Sequence, residues 1–225
     1  MSPSSYNPLR SFISGVGVLL ARAGVIERHR VARATDLAWP RIATGLARMS
    51  RTTVDVAMVG LAVGPVAIAG LGFATPFWGM AFILGGGVAG ATISQISQRY
   101  GAGTSDGMTA AIVTSGLLVL VLTIPVAATC WLYPRFLVDL VGSGEGAITQ
   151  GAAYLKIVGL GIPFAGLNLI GSRTLVGADD AWSPMVLRGG GAIINILVNA
   201  VLIFGFGLGV TGAAIGTVLS NVVIA

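Results

Sequence analysis

Charge is what this chain has least of. Only 9% of its 225 residues are Asp, Glu, Lys or Arg, whereas soluble domains carry roughly 25%. So few charges cannot cover a solvated surface. A soluble enzyme, a secreted disulfide scaffold and a disordered tail are excluded on that ground. Cysteine is scarcer still: Cys130 stands alone, so no internal disulfide forms, and the thiol reads as a small packed hydrophobe. There is one histidine, His29, read as a solvated residue among arginines, and one lysine, Lys156. These leave no metal-spaced Cys/His set, no H-E-x-x-H and no G-x-x-x-x-G-K-[ST] loop for ATP. Gly85-Gly-Gly87-Val-Ala-Gly90 matches G-x-G-x-x-G in its letters, but no strand precedes it, so a dinucleotide site does not follow. Thirteen basic residues outnumber eight acidic ones. They are not clustered with stacking aromatics, and no nucleic-acid partner is expected.

What the chain has in abundance is apolar sequence, 55% of all residues, together with 34 glycines. The expected partner is a lipid bilayer. Apolar runs at 37–63, 66–94, 108–132, 147–172 and 184–206 are each long enough for a hydrocarbon core about 30 Å thick. A sixth starts near 208 and is still apolar at the last residue. Backbone polar groups in lipid need internal partners, so runs of this length should be helices. Ordinary breakers separate them: Gly64-Pro65, the glycine-rich stretch 101–107, the segment 134–146, the stretch 177–180 and Gly205-Phe-Gly207. The predicted fold class is an all-α integral membrane protein, a six-transmembrane-helix bundle over 37–225. Lys156, inside the fourth run, is expected to snorkel to the outer interface.

Residues 1–36 form the other predicted unit, a cytoplasmic segment. Leu9, Phe12, Ile13, Val16, Leu19 and Leu20 follow helical spacing, in a run too short to span. An apolar stripe with arginines at its ends suits an amphipathic helix in the membrane interface. The rival is a cleavable signal, with Ala21-Arg22-Ala23 as an A-x-A-like site. Arginine placement sets the orientation. Arg10, Arg22, Arg28, Arg30, Arg33, Arg99, Arg173 and Arg188 flank the runs on the N-terminal side, and Arg135 alone flanks them on the other. That asymmetry places the N-terminus in the cytoplasm.

The first run is the unusual one. Arg41, Arg48 and Asp55 are seven apart and share a helix face, with Thr44, Arg51 and Thr52 on or beside it. A charge at mid-bilayer costs at least about 2.5–3.5 kcal/mol, so this face is expected toward a wet cavity or a partner helix. The plain alternative is a structural Arg51–Asp55 pair at i, i+4. A carboxylate set between apolar surroundings and a guanidinium one turn away can bind and release a proton, or hold a monovalent cation. Asn195 and Asn199 share a face of the fifth run, and Thr217 and Ser220 lie in the sixth. Their oxygens can bond a carboxyl or ligate a cation, or act only as interhelical glue, the sole reading given to Asn168. The candidate ion-coupling and cavity residues are therefore Asp55, Asn195, Asn199 and Thr217, with Arg48, Arg51 and Thr52 as lining. Gly60/Gly64, Gly86/Gly90 and Gly212/Gly216 are G-x-x-x-G spacings for close helix packing. Pro76, Pro125 and Pro163 are candidate kinks.

Several stretches, in order, resemble the multidrug and toxic compound extrusion (MATE) family. They are Asp36-Leu-Ala-Trp-Pro40, Thr53-Val-Asp55-Val-Ala-Met-Val-Gly60, Ala67-Ile-Ala-Gly-Leu-Gly72 and Gly90-Ala-Thr-Ile-Ser-Gln95 with Tyr100-Gly-Ala-Gly103. Ala153-Tyr-Leu155, Gly177-Ala-Asp-Asp-Ala-Trp-Ser-Pro-Met185 and Gly212-Ala-Ala-Ile-Gly-Thr217 continue the series. The pattern is similar to the prokaryotic DNA-damage-inducible-type branch. The resemblance implies one lobe of a twelve-helix fold and antiport of lipophilic, often cationic compounds against H+ or Na+, with no other cofactor. It implies that Asp55 is the coupling carboxylate and that Asn195 and Thr217 are polar positions near it. At Asn199 the branch often has Asp, so this chain departs by one charge, leaving a two-carboxylate site an open question. One lobe needs a C-terminal lobe or a second copy of itself for alternating access. The alternatives are a flippase for lipid-linked oligosaccharides, which needs a cationic cavity, and a non-transporting fragment of a truncated gene.

The orientation has a direct check. A cysteine placed at Ser4, with Cys130 replaced, is expected to resist impermeant thiol reagents added to intact cells. Labelling from outside would reverse the topology.

Overall fold

The computed structural model describes residues 8–25, 27–104 and 107–225. Side chains of Leu9, Arg28, His29, Leu37, Arg41, Ala47 and Arg48 lie outside that description, and with them the readings given to His29, Arg41 and Arg48. The described residues are helical, with no strand among them. In chain order they form α1 (Pro8–Arg22), α2 (Arg28–Val63), α3 (Pro65–Gly101), α4 (Met108–Leu132), α5 (Pro134–Asp139), α6 (Glu145–Val158), α7 (Ile162–Gly177), α8 (Trp182–Ala200) and α9 (Gly209–Ile224).

Among the described residues, four helical stretches are long and apolar enough to cross a membrane: Pro65–Gly101, Met108–Leu132, Glu145–Gly177 and Trp182–Gly205. They correspond to four of the six expected spans. The first expected span lies in α2, whose charges depress its hydropathy, and the last is the 16-residue α9. Apolar side chains point outward along these helices. On α4, Val113, Leu117, Val121 and Ile124 repeat at helical spacing and are all exposed. Such a surface is stable against lipid and not against water.

The breakers act through backbone chemistry. Gly64 takes a positive φ of 104° and Pro65 opens α3, where a missing N–H costs nothing. Asp180 caps α8 by accepting from the backbone N–H of Trp182 at 3.0 Å and of Ser183 at 2.9 Å. The Ser183 hydrogen bonds hold the Asp180 carboxyl below its ordinary range. Three features depart from the sequence expectation. The helix carrying the first span begins at Arg28, not near 37. The segment 134–146 contains the short helix α5. The fourth span is broken by a 3-10 turn, Gly159–Gly161, so that Pro163 falls in the first turn of α7, where it is tolerated, and not in a helix interior. A π turn, Val201–Gly205, follows α8.

Helix α1 folds back on α2. Gly17 meets Val31 so closely that a Cβ there would stand 2.6 Å from Val31 Cγ1, and Arg10 pairs with Asp36 at 2.9 Å. Phe12 and Leu19 of α1 remain exposed, 72% and 64%, an apolar face with no partner among the described residues.

Helix α3 is the hub, packing on α4, α6 and α7, while α2 packs chiefly on α8. The main core joins Ala74, Phe77 and Ala81 of α3 to Cys130, Leu155 and Ile162. Cys130 is buried there, as a packed hydrophobe should be. The crossing of α3 and α6 is backbone on backbone. A Cβ on Gly70 would lie 2.6 Å from the Ala147 carbonyl oxygen, and one on Gly151 would lie 2.6 Å from the Gly70 carbonyl oxygen. Among the G-x-x-x-G spacings, Gly212 and Gly216 do pack, against Leu202 and Asn199, whereas Gly86 and Gly90 meet nothing within 4 Å.

Gly70→Ala and Gly151→Ala are each expected to lower the thermal midpoint in detergent, with a loss of about 1–3 kcal/mol typical of overpacking. Gly86→Ala, facing open space, is expected to leave it unchanged or raised. Equal midpoints for all three would remove the α3–α6 contact from its central place.

Candidate functional site

The polar face of α2 opens on a cavity of about 290 Å³. Thr44, Arg51, Thr52 and Asp55 line it from α2, as the seven-residue spacing requires. Thr44 also donates back to the Pro40 carbonyl at 2.8 Å, leaving its own turn satisfied in apolar surroundings. Leu71, Trp78 and Phe82 of α3 and Ala165 of α7 add apolar and aromatic lining, with Thr75 of α3 between them. Trp78 and Phe82 are one turn apart and meet edge to face, with ring centroids 6.2 Å apart.

Behind Arg51 and Asp55 lies a chain of amides from α8. Asn199 Nδ2 donates to Asp55 Oδ1 at 2.7 Å. Arg51 Nε donates to Asn195 Oδ1 at 2.9 Å and stands 3.9 Å from Asp55 Oδ2. Asn199 Nδ2 also approaches Asn195 Oδ1 at 3.4 Å, and Asn195 Nδ2 reaches Thr217 Oγ1 at 3.5 Å. The orientation of every group follows from two of them. A guanidinium only donates, so Asn195 must turn its oxygen to Arg51 and its nitrogen to Thr217. A carboxylate only accepts, so Asn199 must turn its nitrogen to Asp55. That leaves Asn199 Oδ1 buried with no hydrogen-bond partner among the described residues, pressed against Gly216 of α9, where a Cβ would collide with it.

Helix α9 closes the site. The Thr217 carbonyl accepts from Asn221 Nδ2 at 2.8 Å and from Ser220 Oγ at 3.0 Å. Asn168 Nδ2 of α7 donates to the Asn221 carbonyl at 2.9 Å, while Asn168 Oδ1 is a second buried atom without a partner. Tyr154 of α6 stands against Thr217, Arg51 and Asp55.

Of the residues singled out in the sequence, Arg51, Thr52, Asp55 and Thr217 line the cavity. Asn195 and Asn199 are each 0% exposed and form the back of its wall, touching the lining groups and not the space itself. The side chain of Arg48 lies outside the described residues. Asn168, read only as glue, lines the cavity as well as bonding α9. Arg188, counted among flanking charges, is in the second turn of α8 and lines the cavity too. Tyr154, Trp78, Phe82 and Asn221 were not singled out for the site. Only the i, i+4 aromatic pair and the polar Asn221 in an apolar run carried a signal. Lys156 is exposed, its Nζ 6.0 Å from the Trp131 ring centroid.

Comparison with known proteins gives one consistent answer. The sequence profile of the MatE family matches residues 40–201. The multidrug resistance protein PmpM of Pseudomonas aeruginosa is 30% identical over 82% of this chain and 39% of its own length. The DNA damage-inducible protein F of Escherichia coli is 28% identical over 82% and 40%. Among solved structures, MATE in the straight conformation superposes with a TM-score of 0.76 at 27% identity, covering 84% of this chain and 42% of that one. The outward-facing conformation of a multidrug resistance MATE family transporter gives 0.74 at 28% identity, again covering 84% and 42%. This chain thus spans about two-fifths of the length of the relatives it matches. A profile match over most of the chain, a shared helical fold and a polar helix face set on an internal cavity agree, and the chain belongs to the MatE family of multidrug and toxic compound transporters.

Proposed function

We propose that this chain is one lobe of an ion-coupled exporter of lipophilic, often cationic compounds. In this reading it lies in the plasma membrane, with the N-terminus cytoplasmic and α1 in the interface, and makes or breaks no bond in its cargo. Trp78, Phe82 and Leu71 offer an apolar wall to a lipophilic body, and Asp55 offers a carboxylate to a cation.

The observation that carries the coupling is the orphan Asn199 Oδ1, on the same amide whose nitrogen holds Asp55. With Asp55 ionised, that oxygen has no donor. With Asp55 protonated, the carboxyl gains an O–H and loses its attraction for Arg51. The Asn199 amide can then turn its oxygen to the new donor, and Arg51 keeps Asn195 alone. The two protonation states therefore favour different arrangements of α2 against α8, which is what an alternating carrier must couple to substrate release. A cationic substrate competes with the proton for the same carboxylate. Completion of the pathway falls to a C-terminal lobe or a second copy. A lipid-linked sugar flippase calls for free cationic groups, and Arg51 is instead engaged by Asn195 and Asp55.

In a complete transporter containing this lobe, Asp55→Asn is expected to abolish gradient-driven dye efflux from cells while leaving membrane insertion intact, because Asn is nearly isosteric and carries no charge. Efflux at the unmutated rate would assign the Arg51–Asp55 pair to structure alone. The purified chain by itself in liposomes, under an imposed proton or sodium gradient, is expected to move no dye above empty vesicles. Robust transport there would mean that two copies complete the path.

A further inference from the structure

The geometry points to Arg51 as a resident counter-cation that occupies the polar site of this lobe and excludes sodium from it. This rests on the reading of Asp55 as the coupling carboxylate, and it narrows the coupling ion to the proton.

A monovalent cation needs several oxygens converging on one point. Asp55, Asn195, Asn199 and Thr217 carry enough oxygen between them, but the network turns it the wrong way. Asn195 Oδ1 faces Arg51 Nε at 2.9 Å, and Asp55 Oδ2 is the carboxylate oxygen nearest that same nitrogen, at 3.9 Å. A sodium ion seated on those two oxygens would share its place with a guanidinium. Asp55 Oδ1 is taken by Asn199 Nδ2. Asn199 Oδ1, the oxygen left over, is directed at Gly216 of α9 and away from the carboxylate. Thr217 Oγ1 receives Asn195 Nδ2.

Arg51 thus acts in two ways. It supplies the positive charge that Asp55 would otherwise draw from solution, and it fixes the Asn195 amide with its oxygen inward to the guanidinium. The pair is largely withdrawn from solvent, with side chains 18% and 15% exposed, so solvent screening of the guanidinium's repulsion is weak. Removing the guanidinium leaves Asp55 Oδ2 without its counter-charge and Asn195 Oδ1 with only the long 3.4 Å approach of Asn199 Nδ2. The Asn195 amide is then free to offer its oxygen to an incoming ion beside Asp55 Oδ2.

The test is a sodium titration of the thermal midpoint of the purified full chain in detergent, with choline replacing sodium at constant ionic strength. The unmutated chain is expected to show no difference between the two salts. Arg51→Met is expected to gain a saturable, sodium-dependent rise of about 2–4 °C or more, and Arg51→Met combined with Asp55→Asn to lose it. Arg51→Gln, which removes the charge and whose amide can itself turn its oxygen to the ion, carries the same expectation as Arg51→Met should the latter not fold. A sodium-dependent rise in the unmutated chain that disappears in Asp55→Asn would overturn the assignment, as would a folded Arg51→Met or Arg51→Gln that gains none. Failure of the coupling reading would show elsewhere, as unchanged efflux in Asp55→Asn, so the two failures are distinguishable.

Discussion

A carboxylate held among apolar helices must find its partners beyond its own backbone, and much of this structure answers to that need. Asp55 cannot be satisfied from its own turn, because the α2 backbone N–H groups are spent within the helix. Its hydrogen-bond donor comes from α8 through Asn199, and its counter-charge from one turn back, the Arg51 guanidinium at 3.9 Å. Arg51 in turn requires an acceptor and finds Asn195. One acceptor-only group and one donor-only group, a turn apart on α2, thereby fix the rotation of α2 against α8 and the orientation of two buried amides. The close approach of α9 follows, since Gly216 is the residue that leaves room for Asn199 Oδ1.

The other half of the molecule is organised by sterics. Around α3 the helices meet where side chains are missing: Gly70 on Gly151, Gly159 on Cys130 and Gly166 on Val119. In lipid there is no hydrophobic gain from bringing two apolar helices together, so close packing and backbone proximity hold them. The 3-10 turn between α6 and α7 follows the same rule, placing Gly159 and Gly161 against Cys130, Trp78 and Val218.

Most of the helix boundaries were legible because breakers in this chain are strong and well spaced. Gly107 and Pro134 bracket α4 at the residues expected. The break within the fourth span was not legible, since Gly159-Leu-Gly161 reads as two tolerated glycines in an apolar run. The start of α2 was missed because Arg28, Arg30 and Arg33 mark a membrane flank by composition while being good helix formers. At the site, the heptad spacing of α2 found Thr52, Asp55 and their neighbours. It did not separate the cavity surface from its backing, and Asn195 and Asn199 proved to be behind the wall. That distinction depends on how α8 and α9 pack, which a period on one helix does not contain. Gly86 and Gly90 show the same limit in reverse: their spacing suited a helix contact, yet no described helix comes near.

The two ways of joining helices imply an uneven stiffness. Contacts made through glycine backbones have no side chain to rotate, so α3, α6 and the turn beneath Cys130 can shift only as a plank. The α2–α8 seam is held by amides and a guanidinium, whose torsions are soft and whose partners can be exchanged without moving a backbone atom first. Elastic compliance is thus concentrated on the side of the bundle that bears the carboxylate. A change of hydrogen-bond partner there need not deform the packed half at all. It has only to reset a seam already built from movable parts.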